Sequence, residues 1–164
     1  MKPRRVVISG LGLVTPIGIG AETVWAALLE QKSGTRRITS FDPSEFPSQV
    51  GGHIESLVVS SYVPKAYRKS TKVMARDIEI AVAAAYEAAK DAGLKTKCLI
   101  ERGEAEGPPN VDSTRFGANI GAGLICADLC ELAGALSTAV DEQNEFSIRK
   151  WRSEERRVGK EGRS

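Results

Sequence analysis

Residues 4–18 run RRVVISGLGLVTPIG. Val6, Val7 and Ile8 form a short β-branched run that Gly10 ends, the pattern of a buried strand. Gly10 and Gly12 stand between that run and a helical pattern, which invites a nucleotide reading. The dinucleotide fingerprint G-x-G-x-x-G needs a third glycine where Thr15 stands, and Pro16 follows it. The loop is also long, with Gly18 and Gly20 still ahead of the helix. No Gly-Lys-Ser/Thr is present, so the phosphate-loop pattern fails as well. The glycines are expected instead to permit backbone contact in a tight strand-to-helix crossing.

Outward from this motif, GAETVWAALLEQKSG reads as a helix. Trp25, Leu28 and Leu29 fit its 3.6-residue period, with Ala26 and Ala27 alongside, and Gly34 stands as its stop. From 35 to 64 the periodicity weakens. FDPSEFPSQVGGHI has two prolines and a glycine pair, so a loop is expected with one short strand over 49–54. Residues 70–92 give the strongest helix, with Gly93 as its stop. Its alanines, Ala81, Ala83, Ala84, Ala85, Ala88 and Ala89, permit a neighbouring backbone to approach closely. ERGEAEGPPNVDS reads as a polar loop, RFGANIGAGL as a second strand entering a glycine turn, and CADLCELAGAL as a helix. Strand, helix, helix, strand, turn, helix is an α/β order. There is no internal repeat or heptad run.

The length of 164 residues fits one domain with a real core. The net charge of +2 comes from residues 152–164, which hold five cations and three anions; the remaining chain is neutral, with 18 of each sign. The pI near 8.5 is therefore no evidence for binding nucleic acid or membrane, and neither is expected as a partner. No apolar run has membrane-spanning length, and the basic start lacks a signal-peptide core. A cytoplasmic location is expected. Cys98, Cys126 and Cys130 are an odd set, which argues against a disulfide framework. Cys126 and Cys130 would share a helix face, but no second pair or nearby histidine completes a metal site. Free thiols are the expectation. His53, the one histidine, reads as a loop or surface residue. No cofactor or metal is expected.

Three separated motifs in order carry a family resemblance. RRVVISGLGLVTPIG with ETVWAALLEQKSG and FD, then STKVMARDIEIAVAAAYEAAKDAGL, then RFGANIGAGL resemble the front of a β-ketoacyl-acyl-carrier-protein synthase of the type II elongating class. The resemblance covers roughly 4–151. The segment 95–113 is longer than usual for the family, which suggests a subgroup. The resemblance implies a partial thiolase-like fold: an incomplete amino-terminal half of an α-β-α-β-α layered architecture. It also implies decarboxylative condensation of malonyl-carrier protein with an acyl thioester held on cysteine. An acyl-carrier protein and a homodimer partner are the implied partners. Two closely related readings share this front end: a polyketide ketosynthase, and a chain-length-factor-like partner without the nucleophile.

The family's nucleophile sits in an Ala-Cys-x-Thr/Ser-like elbow at a helix start, where the dipole lowers the thiol pKa. Two histidines and backbone amides assist it. Neither the elbow nor those histidines is present in this sequence, so no residue receives a catalytic role and the chain is expected to be inactive. The resemblance does imply one site. The turn Gly121-Ala122-Gly123-Leu124 matches the family's acyl-channel lining, with Leu124 at the place of an aliphatic gate. After Trp151 the resemblance stops. RSEERRVGKEGRS matches the translation of a sequencing-library adapter, apart from a one-base departure at Gly162. Residues 1–151 are therefore expected to be a truncated synthase domain and 152–164 a non-native tail.

Overall fold

The computed structural model describes residues 5–121 and 129–151, in two units: 5–71 with 79–120, and 72–78 with 121 and 129–151. Residues 5–13 carry neither strand nor helix, and Val6 is 94% exposed with Val7 and Ile8 close behind. This corrects the expected buried strand. A strand exists only where a partner satisfies its backbone, and no described segment forms a ladder with this one.

Strands β1 (Val14–Thr15) and β2 (Gly18–Ile19) make a tight antiparallel hairpin around Pro16 and Ile17, pairing Thr15 with Gly18. The Thr15 hydroxyl donates to the Gly18 carbonyl at 3.0 Å. Gly20 then turns the chain into α1 (Ala21–Leu29) at φ 87°, a conformation that favours glycine. On α1 the buried residues are Val24 and Ala27, whereas Trp25, Leu28 and Leu29 are exposed. The expected face is therefore wrong. Residues 24–29 are all apolar, so periodicity does not single out one stripe. The stop also lies earlier than Gly34. Gln31 takes φ 55°, while the amides of Gln31 and Lys32 donate to the carbonyls of Leu28 and Ala27, a Schellman closure. Gly34 has a different reason to be small, since a Cβ there would lie 2.6 Å from Pro16 Cβ.

Strand β3 (Thr35–Arg37) pairs antiparallel with β4 (Val50–Gly52), so the strand expected over 49–54 is present. Three short 3-10 turns follow, at Val59–Ser61, Lys65–Tyr67 and Ser70–Val73. Helix α2 (Arg76–Asp91) starts later than expected because the last of these turns occupies its predicted beginning. It ends as expected at Gly93, whose φ is 64° and whose amide donates to the Lys90 carbonyl. Helix α3 (Lys97–Glu101) lies in the segment 95–113, between two turns of chain. Val24, Ala27, Leu57, Val59, Val63, Ala83 and Leu99 are the buried apolar residues of this unit.

The opening glycines lie against α2. A Cβ on Gly12 would stand 1.9 Å from the Ala84 carbonyl oxygen, and one on Gly10 would stand 2.5 Å from that of Ala88. Ala84, Ala88 and Ala92 recur at four-residue spacing and form one stripe. The Leu11 amide donates to the Asp91 carboxylate at 2.8 Å beside it. The close approach expected of these glycines is thus realised, but against α2 and not in the expected strand-to-helix crossing, since residues 5–13 carry no strand. The third motif differs. Residues 115–121 carry no strand, contrary to expectation, and Phe116 and Ile120 are exposed.

In the second unit, α4 (Leu129–Thr138) carries the helix expected from CADLCELAGAL, whose first three residues lie outside the described residues. Ala135 and Ala139 are buried, and Val140 bridges to Phe146 across a turn. The Asp141 carboxylate accepts from the amides of Gln143 and Glu145 at 3.0 and 2.9 Å and closes that turn.

Candidate functional site

Of the three residues expected to line a channel, Gly121 is exposed, with nothing within 4 Å of where a Cβ would stand. Gly123 and Leu124 lie outside the described residues, as do Cys126 and the side chain of Cys130. His53 is exposed on the loop after β4, as expected. Among the described residues no group of three His, Cys, Asp or Glu side chains is placed to hold a metal. Cys98 is on α3. Its thiol is pushed up by burial, which outweighs the nearby Arg102 charge, and it donates to the Tyr62 carbonyl at 3.7 Å. A thiol held protonated in this way is a poor nucleophile.

The densest polar cluster lies where α3 meets α2. Thr96 caps α3 by accepting the Leu99 amide at 3.3 Å, and Gly103, at φ 74°, ends it. Cys98 on that short helix and Arg102, its C-cap, are four residues apart and share one face. The Arg102 guanidinium lies 5.2 Å from the Tyr86 ring centroid. Its Nε and Nη2 reach Glu104 Oε1 at 2.8 and 2.7 Å, and Nη1 donates to the Val63 carbonyl at 3.2 Å. Tyr86 donates its hydroxyl to Glu104 Oε2. Lys90 stands 3.7 Å from the same oxygen. Tyr62 packs edge-to-face on Tyr86 at 5.3 Å.

This geometry sets the protonation states. The Tyr86 hydrogen bond, with Arg102 behind it, holds the Glu104 carboxyl below its usual range against a smaller opposing effect of burial. Burial first, and the hydrogen bond to Glu104 second, push Tyr86 up to about 12. Burial works against the Arg102 charge, but its bonds to Glu104 and Tyr86 outweigh that and raise it further. Glu104 thus accepts from a phenol and a guanidinium, with Lys90 as an ion-pair neighbour. Near neutral pH Glu104 is ionised, Tyr86 is protonated and Arg102 is charged.

Beside the cluster runs a cationic ledge. From 56 to 71 the chain has three cations, Lys65, Arg68 and Lys69, and no acidic residue. Lys65, Arg68 and Lys69 are exposed around the Lys65–Tyr67 turn. Val63, Pro64, Lys65, Ala66 and Arg68 face Glu101 and Arg102 across an open groove of about 490 Å³. The ledge suits an anionic partner, since exposed cations close together sum their fields at one surface.

Comparison with known proteins identifies a family. The model of the β-ketoacyl synthase N-terminal domain matches residues 3–149. The chain belongs to the β-ketoacyl synthase family. It is 35% identical over 124 residues to 3-oxoacyl-[acyl-carrier-protein] synthase 2 of Coxiella burnetii, covering 76% of this chain and 26% of that protein. The enzyme of the same name from Vibrio harveyi is 33% identical over 131 residues, 80% of this chain and 28% of its own. The tetracenomycin polyketide synthase ketoacyl synthase beta subunit of Streptomyces glaucescens is 39% identical over 101 residues, 62% of this chain and 24% of its own. A solved structure, the ishigamide ketosynthase/chain length factor, matches 56% of this chain and 22% of its own at 35% identity and a TM-score of 0.48. This chain therefore spans about a quarter of the length of these relatives. Ketosynthase membership brings the thiolase-like fold, of which the described residues are a small α/β part.

Sequence reading missed the Tyr86–Arg102–Glu104 cluster because 101–113 read as a polar loop. The signals were present: Thr96 as a helix cap and Gly103 as a stop bracket a short apolar segment, Cys98-Leu99-Ile100. No helix among the described residues is long and apolar enough to cross a membrane.

Proposed function

We propose that residues 1–151 are the front part of a 3-oxoacyl-[acyl-carrier-protein] synthase that elongates fatty acyl chains in the cytoplasm by decarboxylative condensation, and that 152–164 are foreign to it. The observation that carries this reading is the family match over 3–149, with relatives about four times as long. The exposed Val6, Val7, Ile8, Phe116 and Ile120 support it, because such apolar runs suit strands of a larger sheet. In the intact enzyme, Gly121, Gly123 and Leu124 line the acyl channel, a second copy completes a homodimer, and the cysteine and histidines come from sequence beyond 151. The exposed Lys65–Lys69 ledge takes the carrier protein, by charge.

A polyketide ketosynthase or its chain-length-factor-like partner is the second reading. The 39% identity to the tetracenomycin beta subunit favours it. The test is an assay of the 164-residue chain with acyl- and malonyl-carrier protein. No condensation product above a no-enzyme control is expected. Carrier-dependent carbon–carbon bond formation would overturn the reading, since it would mean that the chain holds a complete active site.

A further inference from the structure

Helix α3 and its C-cap residue, Arg102, take two consecutive backbone carbonyls of the chain that leads into the cationic ledge. Cys98 donates to the Tyr62 carbonyl and, one helical turn later, Arg102 donates to that of Val63. Val63 and Leu99 are buried at this junction. The next residue, Pro64, opens the Lys65–Tyr67 turn: its carbonyl accepts the Tyr67 amide at 2.9 Å, and that of Lys65 accepts the Arg68 amide at 3.3 Å. Arg102 is not free to swing away. Glu104 holds two of its nitrogens and its Cζ lies over the Tyr86 ring, 5.2 Å from the centroid. A guanidinium held on three sides is a rigid prop, because its fork has a fixed geometry.

We propose that α3 is a positioning element for the cationic ledge, with Arg102 as its principal positioning residue. The Arg102–Glu104–Tyr86 clasp fixes where the Lys65–Tyr67 turn begins, and so how Lys65 and Arg68 are presented to an anionic protein. The segment 95–113 would then set partner specificity without supplying most of the contacts. This rests on the reading of the ledge as the carrier-protein surface, and the experiment separates the two.

Amide exchange at Tyr67 and Arg68, and affinity for purified acyl-carrier protein, are measured on the full chain and its variants. Arg102→Met is expected to speed exchange at both amides about tenfold, the scale of one lost charge-assisted hydrogen bond, with α1 unchanged, and to weaken binding. Cys98→Ser, which keeps a donor for the Tyr62 carbonyl, should retain more protection there than Cys98→Ala. That pair keeps the test decisive if Arg102→Met does not fold. Unchanged exchange at Tyr67 and Arg68 in Arg102→Met, or equal exchange in the two Cys98 variants, overturns the positioning role. Unchanged binding in Lys65→Ala/Arg68→Ala overturns the ledge as the carrier-protein surface instead.

Discussion

Two glycine motifs of similar spelling behave in opposite ways. Gly10 and Gly12 are pressed against the backbone of α2, where a Cβ on either would overlap a carbonyl oxygen. Gly117 and Gly121 have nothing within 4 Å of where a Cβ would stand. The difference lies in the partner. The first motif has the Ala84–Ala88–Ala92 stripe, whose small side chains leave room for main-chain contact. The second has no facing element among the described residues. A glycine motif therefore states a capacity for close approach, and only a matching stripe of small residues elsewhere in the chain says that the capacity is used.

The largest effect is expected from Gly12→Ala. The new methyl would meet the Ala84 carbonyl, which is helix backbone and cannot swing aside. A cost of about 3 kcal/mol or more follows, at the upper end for overpacking. Urea denaturation monitored by the far-ultraviolet signal of α2 checks it. A loss below about 1 kcal/mol would mean that the glycine–alanine contact does not organise this unit.

An intermediate, pH-resolved effect should come from the clasp that holds the same unit. Glu104 is held below its ordinary value, so its contribution to stability is present above about pH 4.5 and is lost as pH falls through the lowered value. Tyr86 is shifted upward, so its contribution is full below about pH 10 and is lost as pH rises through about 12. Ultraviolet titration of tyrosinate should show a component near pH 12 that disappears in Tyr86→Phe and moves toward 10 in Glu104→Gln. An unmoved component in Glu104→Gln would show that the carboxylate does not hold the phenol.

Much of the first motif was legible in advance. Two glycines, a long alanine-rich helix and a Gly93 stop are local signals, and each was realised where the chain itself provides the partner. What failed was burial. Val6, Val7 and Ile8 spell a strand, yet pairing is decided by another segment, which the spelling does not contain. On α1 the six apolar residues from Val24 to Leu29 hid which side would be covered. The clasp was missed because its three residues are separated in sequence, and a five-residue helix carries too little periodicity to stand out.

The smallest effect is expected from Gly121→Ala. With open space around it and no positive φ, the substitution should change the stability of the chain by no more than about 0.5 kcal/mol. Thermal melting beside Gly12→Ala gives the contrast directly. A loss comparable to that of Gly12→Ala would mean that the second motif is packed after all.

Residue-resolved amide exchange across both motifs tests the contrast most directly. The amides of α2 from Ala84 to Asp91, with Ala92, are expected to be protected to the level of the whole unit. Residues 115–121 should exchange close to the rate of an unstructured chain. Strong protection at 115–121 in a monodisperse monomer would contradict that contrast, because the second motif would then have its partner within this chain.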